Sequence, residues 1–289
     1  MGSGRELRSA AGDRRLGRCL PAALVVPCVL VGCLGFTPMP DETLSFGATN
    51  RGVLHRGEAI ATQGDGYVLA RTGDATRFGT PELIAALERA AASVEARFPG
   101  TAPIRIGDLS SPAGGRHPRH GSHRTGRDAD VLFYMTDAAG HSQTGRGWLA
   151  YNRFGFSVEH ERANGLYFFD DARNWHFART LLLDEEARVQ WLFVSRGMKA
   201  RLLRYALAHE SDPRALSRAA YALHQPADAA PHDDHFHVRI YCPPRDLAHG
   251  CRNRGLVWSW LRGDTEKPPR EPGARLDDEA LLESILEPL

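Results

Sequence analysis

The sequence predicts an α+β fold in which a small antiparallel sheet is flanked by helices. Helical patterns lie at 80–100, 173–185, 196–210 and 211–223. Strand patterns lie at 102–110, 129–134, 189–195 and 235–241. The two kinds follow one another without the regular βαβ alternation of parallel sheets, and this favours the α+β class.

The helix at 80–100 carries start and stop signals at its two ends. Thr80 suits the N-cap position, Pro81 suits the first helical position, and Gly100 follows the last turn. Ser195 is predicted to cap the helix that follows it in the same way. The predicted buried face of the first helix consists of Leu83, Ile84, Leu87, Ala91 and Val94.

Composition limits the classes of function. The chain has 289 residues, of which 42% are hydrophobic, and this is enough apolar material for a sizeable core. Its 36 Lys and Arg residues are balanced by 35 Asp and Glu residues. A balanced charge argues against the basic surface through which proteins bind nucleic acids, so no nucleic-acid partner is predicted.

The first 33 residues have the pattern of an export signal. An arginine-rich leader precedes an apolar run at 19–33, which is shorter than the roughly 20 residues of a membrane-spanning helix. The run ends on Leu30-Val31-Gly32-Cys33, which resembles a bacterial lipobox, where the cysteine is lipidated and becomes the new N-terminus. Residues 1–33 are therefore predicted as a lipoprotein signal with membrane contact through Cys33. An ordinary cleaved signal peptide, in which Cys33 has no role, fits the same residues.

The remaining chain divides into three predicted segments. Residues 34–55, rich in Gly, Pro and Thr, are predicted as a tether with an entry loop, and residues 56–262 as one folded domain. Residues 263–289 are predicted as a charged, Pro-rich linker and a C-terminal tail. Of five cysteines, only Cys242 and Cys251 lie beyond the signal, and an exported protein would join them in a disulfide. Half of a metal site is the alternative for this pair.

Two polar clusters each run directly into a strand pattern. In the first, HGSHRTGRDADVLFY at 120–134, Gly126 offers a turn between His123 and Asp130. In the second, PHDDHFHVRIYCP at 231–243, His235 and His237 are two residues apart and project from the same face of a strand. Polar strand edges that contact only water give the same pattern in isolation.

The two clusters together predict a metal site. His123, Asp130 and His237 would supply two nitrogens and one oxygen and leave one position open for water, which is typical of a catalytic zinc site. Asp128 is predicted to orient a ligand histidine rather than to bind metal itself. Strand alternation turns Asp234 away from His237, so Asp234 is not predicted to act as the catalytic base. If the strand began with a bulge at this point, Asp234 and His235 would exchange roles.

The pattern resembles zinc peptidases that share a core with lysostaphin, D-alanyl-D-alanine dipeptidase and hedgehog: a His, six residues, an Asp and a later His. Within that group it resembles most the penicillin-insensitive murein endopeptidase family, over roughly residues 100–255 and with its motifs in the same order. The motif residues are Gly107-Asp108-Leu109-Ser110, Gly114-Gly115, Ser122 to Asp130, and His232 to Cys242-Pro243.

The resemblance implies roles for individual residues. His123, Asp130 and His237 would bind Zn²⁺, and His235 and His232 would be the active-site histidines. His120 matches a position of the family that contacts metal, here a second ion. Alternatively, His120 is an ordinary loop histidine that binds no metal. Asp234 departs from the dipeptidase branch, which carries its catalytic Glu three residues before the last ligand.

The resulting prediction is a zinc metallopeptidase that hydrolyses the peptide cross-links of peptidoglycan. The resemblance implies cleavage between D-alanine and meso-diaminopimelate, and the export signal implies the periplasmic side of the outer membrane. Two alternatives stay open. One is a D,D-carboxypeptidase or dipeptidase on the same scaffold, and the other is a zinc-containing module that binds murein without cutting it.

Overall fold

The computed structural model describes residues 41–145, 147–158 and 165–261. Its helices are α1 (Pro81–Arg97), α2 (Asp171–Leu183), α3 (Arg196–His209), α4 (Pro213–Ala222), α5 (Pro244–Ala248) and a 3-10 turn (Ser259–Leu261). Its strands are β1 (Leu44–Ala48), β2 (Arg51–His55), β3 (Glu58–Ala59), β4 (Gln63–Gly64), β5 (Tyr67–Leu69), β6 (Phe78–Gly79), β7 (Ile104–Ile106), β8 (Asp128–Leu132), β9 (Met135–Thr136), β10 (Ser142–Gln143), β11 (Phe168–Phe169), β12 (Val189–Phe193), β13 (Leu223–His224) and β14 (His235–Ile240). The predicted signal with Cys33 and the C-terminal tail lie outside the described residues.

The α+β prediction is confirmed, but the main sheet is larger than expected and mixed. Its seven strands lie in the order β13-β12-β14-β8-β7-β5-β4. The pairs β12/β13 and β5/β7 are parallel, and the other neighbours are antiparallel. Strands β4, β5 and β13 have only two or three residues, too few to show the alternation by which a strand is recognised in a sequence.

Alternation along the central strands gives the sheet an apolar face and a polar face. Val131 of β8 and Phe236 and Val238 of β14 are fully buried on the apolar face. The ring of Phe236 stacks on Phe177 of α2 with centroids 6.1 Å apart, so α2 covers this face. The polar face carries the side chains of both sequence clusters and holds the candidate site.

Helix α1 begins and ends as predicted. The Thr80 side chain accepts a hydrogen bond from the Leu83 N–H, and Pro81 occupies the first helical position. Every residue of the predicted apolar stripe is buried. Ser195 caps α3 through the N–H of Met198, as predicted. None of the helices in the described ranges is long and apolar enough to cross a membrane.

Residues 44–55, predicted as the end of a tether, instead form a hairpin that belongs to the folded domain. Strand β1 pairs antiparallel with β2. The N–H of Ser45 donates to Asp246 Oδ2 at 2.8 Å, and the buried guanidinium of Arg127 donates to the Ser45 hydroxyl and the Gly47 carbonyl. These partners lie far along the chain, so the local Gly- and Thr-rich composition did not indicate that the segment is folded.

The predicted disulfide between Cys242 and Cys251 is confirmed. The disulfide joins the residues after β14 to the loop after α5. Cys251 also forms an isolated parallel β-bridge, through its backbone, with Gly47 of the N-terminal hairpin. The alternative of a half metal site is therefore wrong for this pair. The disulfide fixes the end of the strand that carries His235 and His237.

Candidate metal centre

Strand register brings the carboxylate of the first cluster to the imidazole of the second. Asp130 of β8 lies directly opposite His237 of β14, and Asp130 is fully buried. Residues opposite each other in an antiparallel pair project from the same face. The atoms His237 Nδ1 and Asp130 Oδ1 are 3.2 Å apart.

A tight turn before β8 brings His123 to the same carboxylate. Gly126 has a φ of +73°, as its predicted turn requires, and its N–H donates to Ser110 Oγ at 2.8 Å. His123 has a φ of +58°, a conformation that is unfavourable for a residue with a Cβ, and such strain concentrates at functional sites. His123 Nε2 lies 3.3 Å from Asp130 Oδ1.

Two further histidines contact Asp130. His120 Nε2 lies 3.3 Å from Asp130 Oδ2 and 2.9 Å from Asp108 Oδ2. His235 Nε2 lies 3.4 Å from Asp130 Oδ1. Four imidazoles, from a loop and from a strand, therefore surround one buried carboxylate.

The six predicted site residues form two adjoining groups. His120, His123 and Asp130 offer ligand atoms within 4.8 Å of one another, and so do His232, His235 and His237. His232 completes the second group, with its ring centroid 5.1 Å from that of His235 and 5.6 Å from that of His237. The structure thus brings together all six residues that the sequence predicted for the metal site and the active site.

Unsatisfied polar atoms indicate what the group can hold. Among the described residues, both ring nitrogens of His123 and both carboxylate oxygens of Asp130 are buried without a hydrogen-bond partner. The close N–O pairs around Asp130 lack hydrogen-bond geometry, although they are only 3.2–3.4 Å apart. Buried polar groups without partners are rare, and imidazole nitrogens with a carboxylate are a common ligand set for first-row metal ions. The residues present therefore fit a metal ion.

Comparison with known proteins identifies the family. The sequence model of penicillin-insensitive murein endopeptidases matches residues 45–257. The chain belongs to this family. It is 28% identical over 256 residues to a penicillin-insensitive murein endopeptidase of Haemophilus influenzae. The aligned region covers 82% of this chain and 78% of that protein. Proteins of the same name from Salmonella paratyphi B and Salmonella newport are each 33% identical over 99 residues, 34% of this chain and 35% of each relative.

Membership of the penicillin-insensitive murein endopeptidase family places the chain among peptidases, a class of hydrolases. The match begins at residue 45, within the N-terminal hairpin, so the hairpin is part of the family domain. It ends at residue 257, beyond the disulfide loop.

In this family member, charge and burial act in opposite directions on the site residues. Burial alone would raise the pKa of Asp130, but the imidazoles of His123 and His235 hold it well below the usual range. Burial would lower the pKa of His235, yet the carboxylates of Asp130 and Asp234 raise it to about 10. His232 differs, because burial and the neighbouring histidines lower its pKa to about 4, so this ring is neutral at pH 7.

Two carboxylates outside the predicted ligand set contact the histidines of β14. Asp128 Oδ1 lies 3.1 Å from His237 Nε2, and the other ring nitrogen, Nδ1, faces Asp130. Asp128 therefore makes the contact with a ligand histidine that the sequence predicted for it. Asp234 contacts His235 Nδ1, which leaves Nε2 of that ring facing Asp130. Asp234 thus contacts His235 rather than His237, consistent with the alternation argument.

Asp108, Arg239 and Trp148 are among the residues at the site that had no role assigned from the sequence. Asp108, in the Gly-Asp-x-Ser motif, contacts His120, and its motif position was the only available signal. Arg239 Nε donates to Asp128 Oδ1 at 2.6 Å. Trp148 contacts the ring of His235, and no local pattern marks it.

Proposed function

We propose that the chain is a zinc peptidase in which His123, Asp130 and His237 bind the metal and His120 contacts a second ion. The observation that supports this most is the fully buried Asp130 carboxylate, which is surrounded by imidazoles and whose oxygens have no hydrogen-bond partner in the described part of the chain. Three protein ligands leave a position for water, as catalytic zinc sites require. Orientation of His237 by Asp128 supports the assignment, since ligand histidines usually make such a contact through the other ring nitrogen.

The active-site histidines have complementary roles in this proposal. When bound, zinc lowers the pKa of a water molecule and polarises the scissile carbonyl. His235 accepts the proton of the attacking water at Nε2 and passes it to the leaving amine, while Asp234 holds Nδ1. The Asp130 carboxylate would raise the pKa of His235 less once its charge is offset by a bound cation. Neutral His232 donates an N–H to the oxygen on which negative charge develops.

The proposed substrate is the peptide cross-link of peptidoglycan, cleaved between D-alanine and meso-diaminopimelate. Support comes from family membership and from the names of relatives, which are murein endopeptidases. The export signal would deliver the protein to the cell envelope, where this substrate lies. The proposal of this specific bond depends on the motif at 232–243, which resembles the corresponding motif of the family.

Digestion of purified cross-linked muropeptides tests this function. The zinc-loaded protein is expected to convert D-alanyl-meso-diaminopimelyl dimers into two monomers, read as product masses. Chelation should stop the reaction, and zinc should restore it. Removal of terminal D-alanine alone would identify a carboxypeptidase instead, and retention of intact dimers without products would identify a binding module.

We further propose that the protein is held at the periplasmic side of the outer membrane by lipid on Cys33. The lipobox-like Leu30-Val31-Gly32-Cys33 supports this anchor. The protein is expected to sediment with outer-membrane fractions, and Cys33→Ser is expected to release it or to block its processing. Mass spectrometry of the N-terminal peptide provides the decisive measurement, because a mature N-terminus beyond residue 33 without lipid contradicts the anchor.

A further inference from the structure

Trp148 forms one side of the candidate metal centre. It lies in the segment after β10, and its ring meets that of His235 edge to face, with centroids 5.0 Å apart and planes at 86°. Edge-to-face contact is a favoured geometry for aromatic pairs. Trp148 is half-buried, so it packs on the protein and stays partly accessible to solvent.

The Trp148 ring also contacts a charged side chain of the protein. The guanidinium carbon of Arg71 lies 5.3 Å from the Trp148 ring centroid, and Arg71 Nη1 donates to Asp108 Oδ2 at 3.1 Å. Asp108 in turn contacts His120. Trp148 is therefore connected to both histidine groups of the site, directly to one and through two side chains to the other.

The position of Trp148 also depends on a residue without a side chain. A Cβ at Gly107 would lie 2.7 Å from Cη2 and 2.9 Å from Cζ2 of the Trp148 ring, closer than real contacts allow. Gly107 therefore leaves the space into which the ring packs. The close approach explains a glycine at this point of the Gly-Asp-x-Ser motif, independently of backbone conformation.

His235 is otherwise held mainly at one point. Asp234 contacts Nδ1, while Nε2 faces Asp130 at 3.4 Å without a hydrogen bond to it. One hydrogen bond fixes one ring nitrogen, so the packing of neighbouring rings must limit the swing of the imidazole about that contact; these rings are Trp148 and His232, whose centroids lie 5.0 and 5.1 Å from that of His235. The wall formed by Trp148 limits that swing and keeps Nε2 on the side of the metal centre.

We propose that Trp148 is a positioning residue that holds the His235 ring in the orientation for proton transfer. The proposal rests on the role assigned to His235 under the proposed function. The ring contact of Trp148 is with His235, which is not one of the three proposed metal ligands, so its removal should affect turnover and leave metal binding intact. Misplacement of a catalytic group by about 1 Å can cost on the order of 100-fold in rate.

The first test compares substitutions at position 148. Trp148→Ala is expected to lower kcat by about 10- to 100-fold while KM and bound zinc stay unchanged. Trp148→Phe keeps an aromatic wall and is expected to recover most of the lost turnover. Trp260→Ala is the matched control, because Trp260 is also half-buried and stacks on Trp258, away from the site histidines; its kcat should equal that of the unmodified protein.

A second experiment displaces the Trp148 ring without removing it. Gly107→Ala should displace the Trp148 ring and lower kcat in the unmodified background. Its effect should be smaller once Trp148 is alanine, because only the tight approach of the new Cβ to the Asp130 carbonyl oxygen, at 3.2 Å, then remains. Equal effects of Gly107→Ala in both backgrounds would contradict the inferred contact. A rise in KM alone, or loss of zinc, in Trp148→Ala would likewise overturn the positioning role.

NMR of the His235 ring nitrogens in the zinc-loaded protein separates this proposal from the proposed function. Trp148→Ala is expected to shift or broaden the His235 signals, whereas Trp260→Ala should leave them unchanged. Unchanged His235 signals in Trp148→Ala overturn the positioning role whether or not the protein cleaves muropeptides. Failure of the unmodified protein to cleave them counts against the proposed function alone.

Discussion

Asp130→Asn is expected to abolish hydrolysis of cross-linked muropeptides and to lower bound zinc well below one ion per chain. The substitution keeps the shape of the side chain but removes the negative charge around which four imidazoles are arranged. An amide is a weaker ligand than a carboxylate, and it carries no negative charge to offset that of a bound cation. His123→Ala and His237→Ala should have the same two effects, because each removes one of three proposed ligands.

Metal content measured by mass spectrometry, together with muropeptide digestion, decides this prediction. Asp137→Asn is the matched control, because Asp137 accepts hydrogen bonds only from its own loop in the described structure, including the N–H groups of Ala139 and His141. It should retain both zinc and activity. Full zinc occupancy in Asp130→Asn, His123→Ala and His237→Ala would refute the ligand assignment.

His235→Ala is expected to separate metal binding from turnover. Zinc should remain bound, since the three proposed ligands are intact, while kcat falls by roughly 100-fold or more, the usual scale for a general acid or base. Asp234→Asn should cause a smaller loss, because it weakens the contact at His235 Nδ1 without removing the ring.

The same two measurements on the same preparation test the assignment of His235. His209→Ala serves as the control, because His209 is exposed in the last turn of α3 and contacts the Tyr205 carbonyl. Loss of zinc in His235→Ala would make this residue a ligand, and the three-His group of His232, His235 and His237 would then have to be reconsidered as a metal site.

Features that depend on neighbouring residues were predictable from the sequence. The cap of α1 at Thr80 and that of α3 at Ser195 each depend on residues within one turn. The shared face of His235 and His237 follows from strand alternation, and the turn at Gly126 follows from the freedom of glycine to adopt a positive φ. The two motifs then identified the family because their residues and order are specific in combination.

Features that depend on distant partners were decided only by the tertiary structure. The hairpin at 44–55 is folded because Asp246 and Arg127 bind it, and neither residue is near it in sequence. The short strands β4, β5 and β13 are defined only by their pairing with neighbouring strands of the sheet.

Within the site, sequence determined which residues can bind a metal, and the fold determined how they meet. Register places Asp130 opposite His237, whereas a shift of one residue would turn one of the two side chains to the other face of the sheet. The contacts of Asp108 with His120 and of Trp148 with His235 join segments that no local pattern connects. Residue types and short spacings encode chemistry and local geometry, but contacts across a sheet depend on the packing of the whole domain.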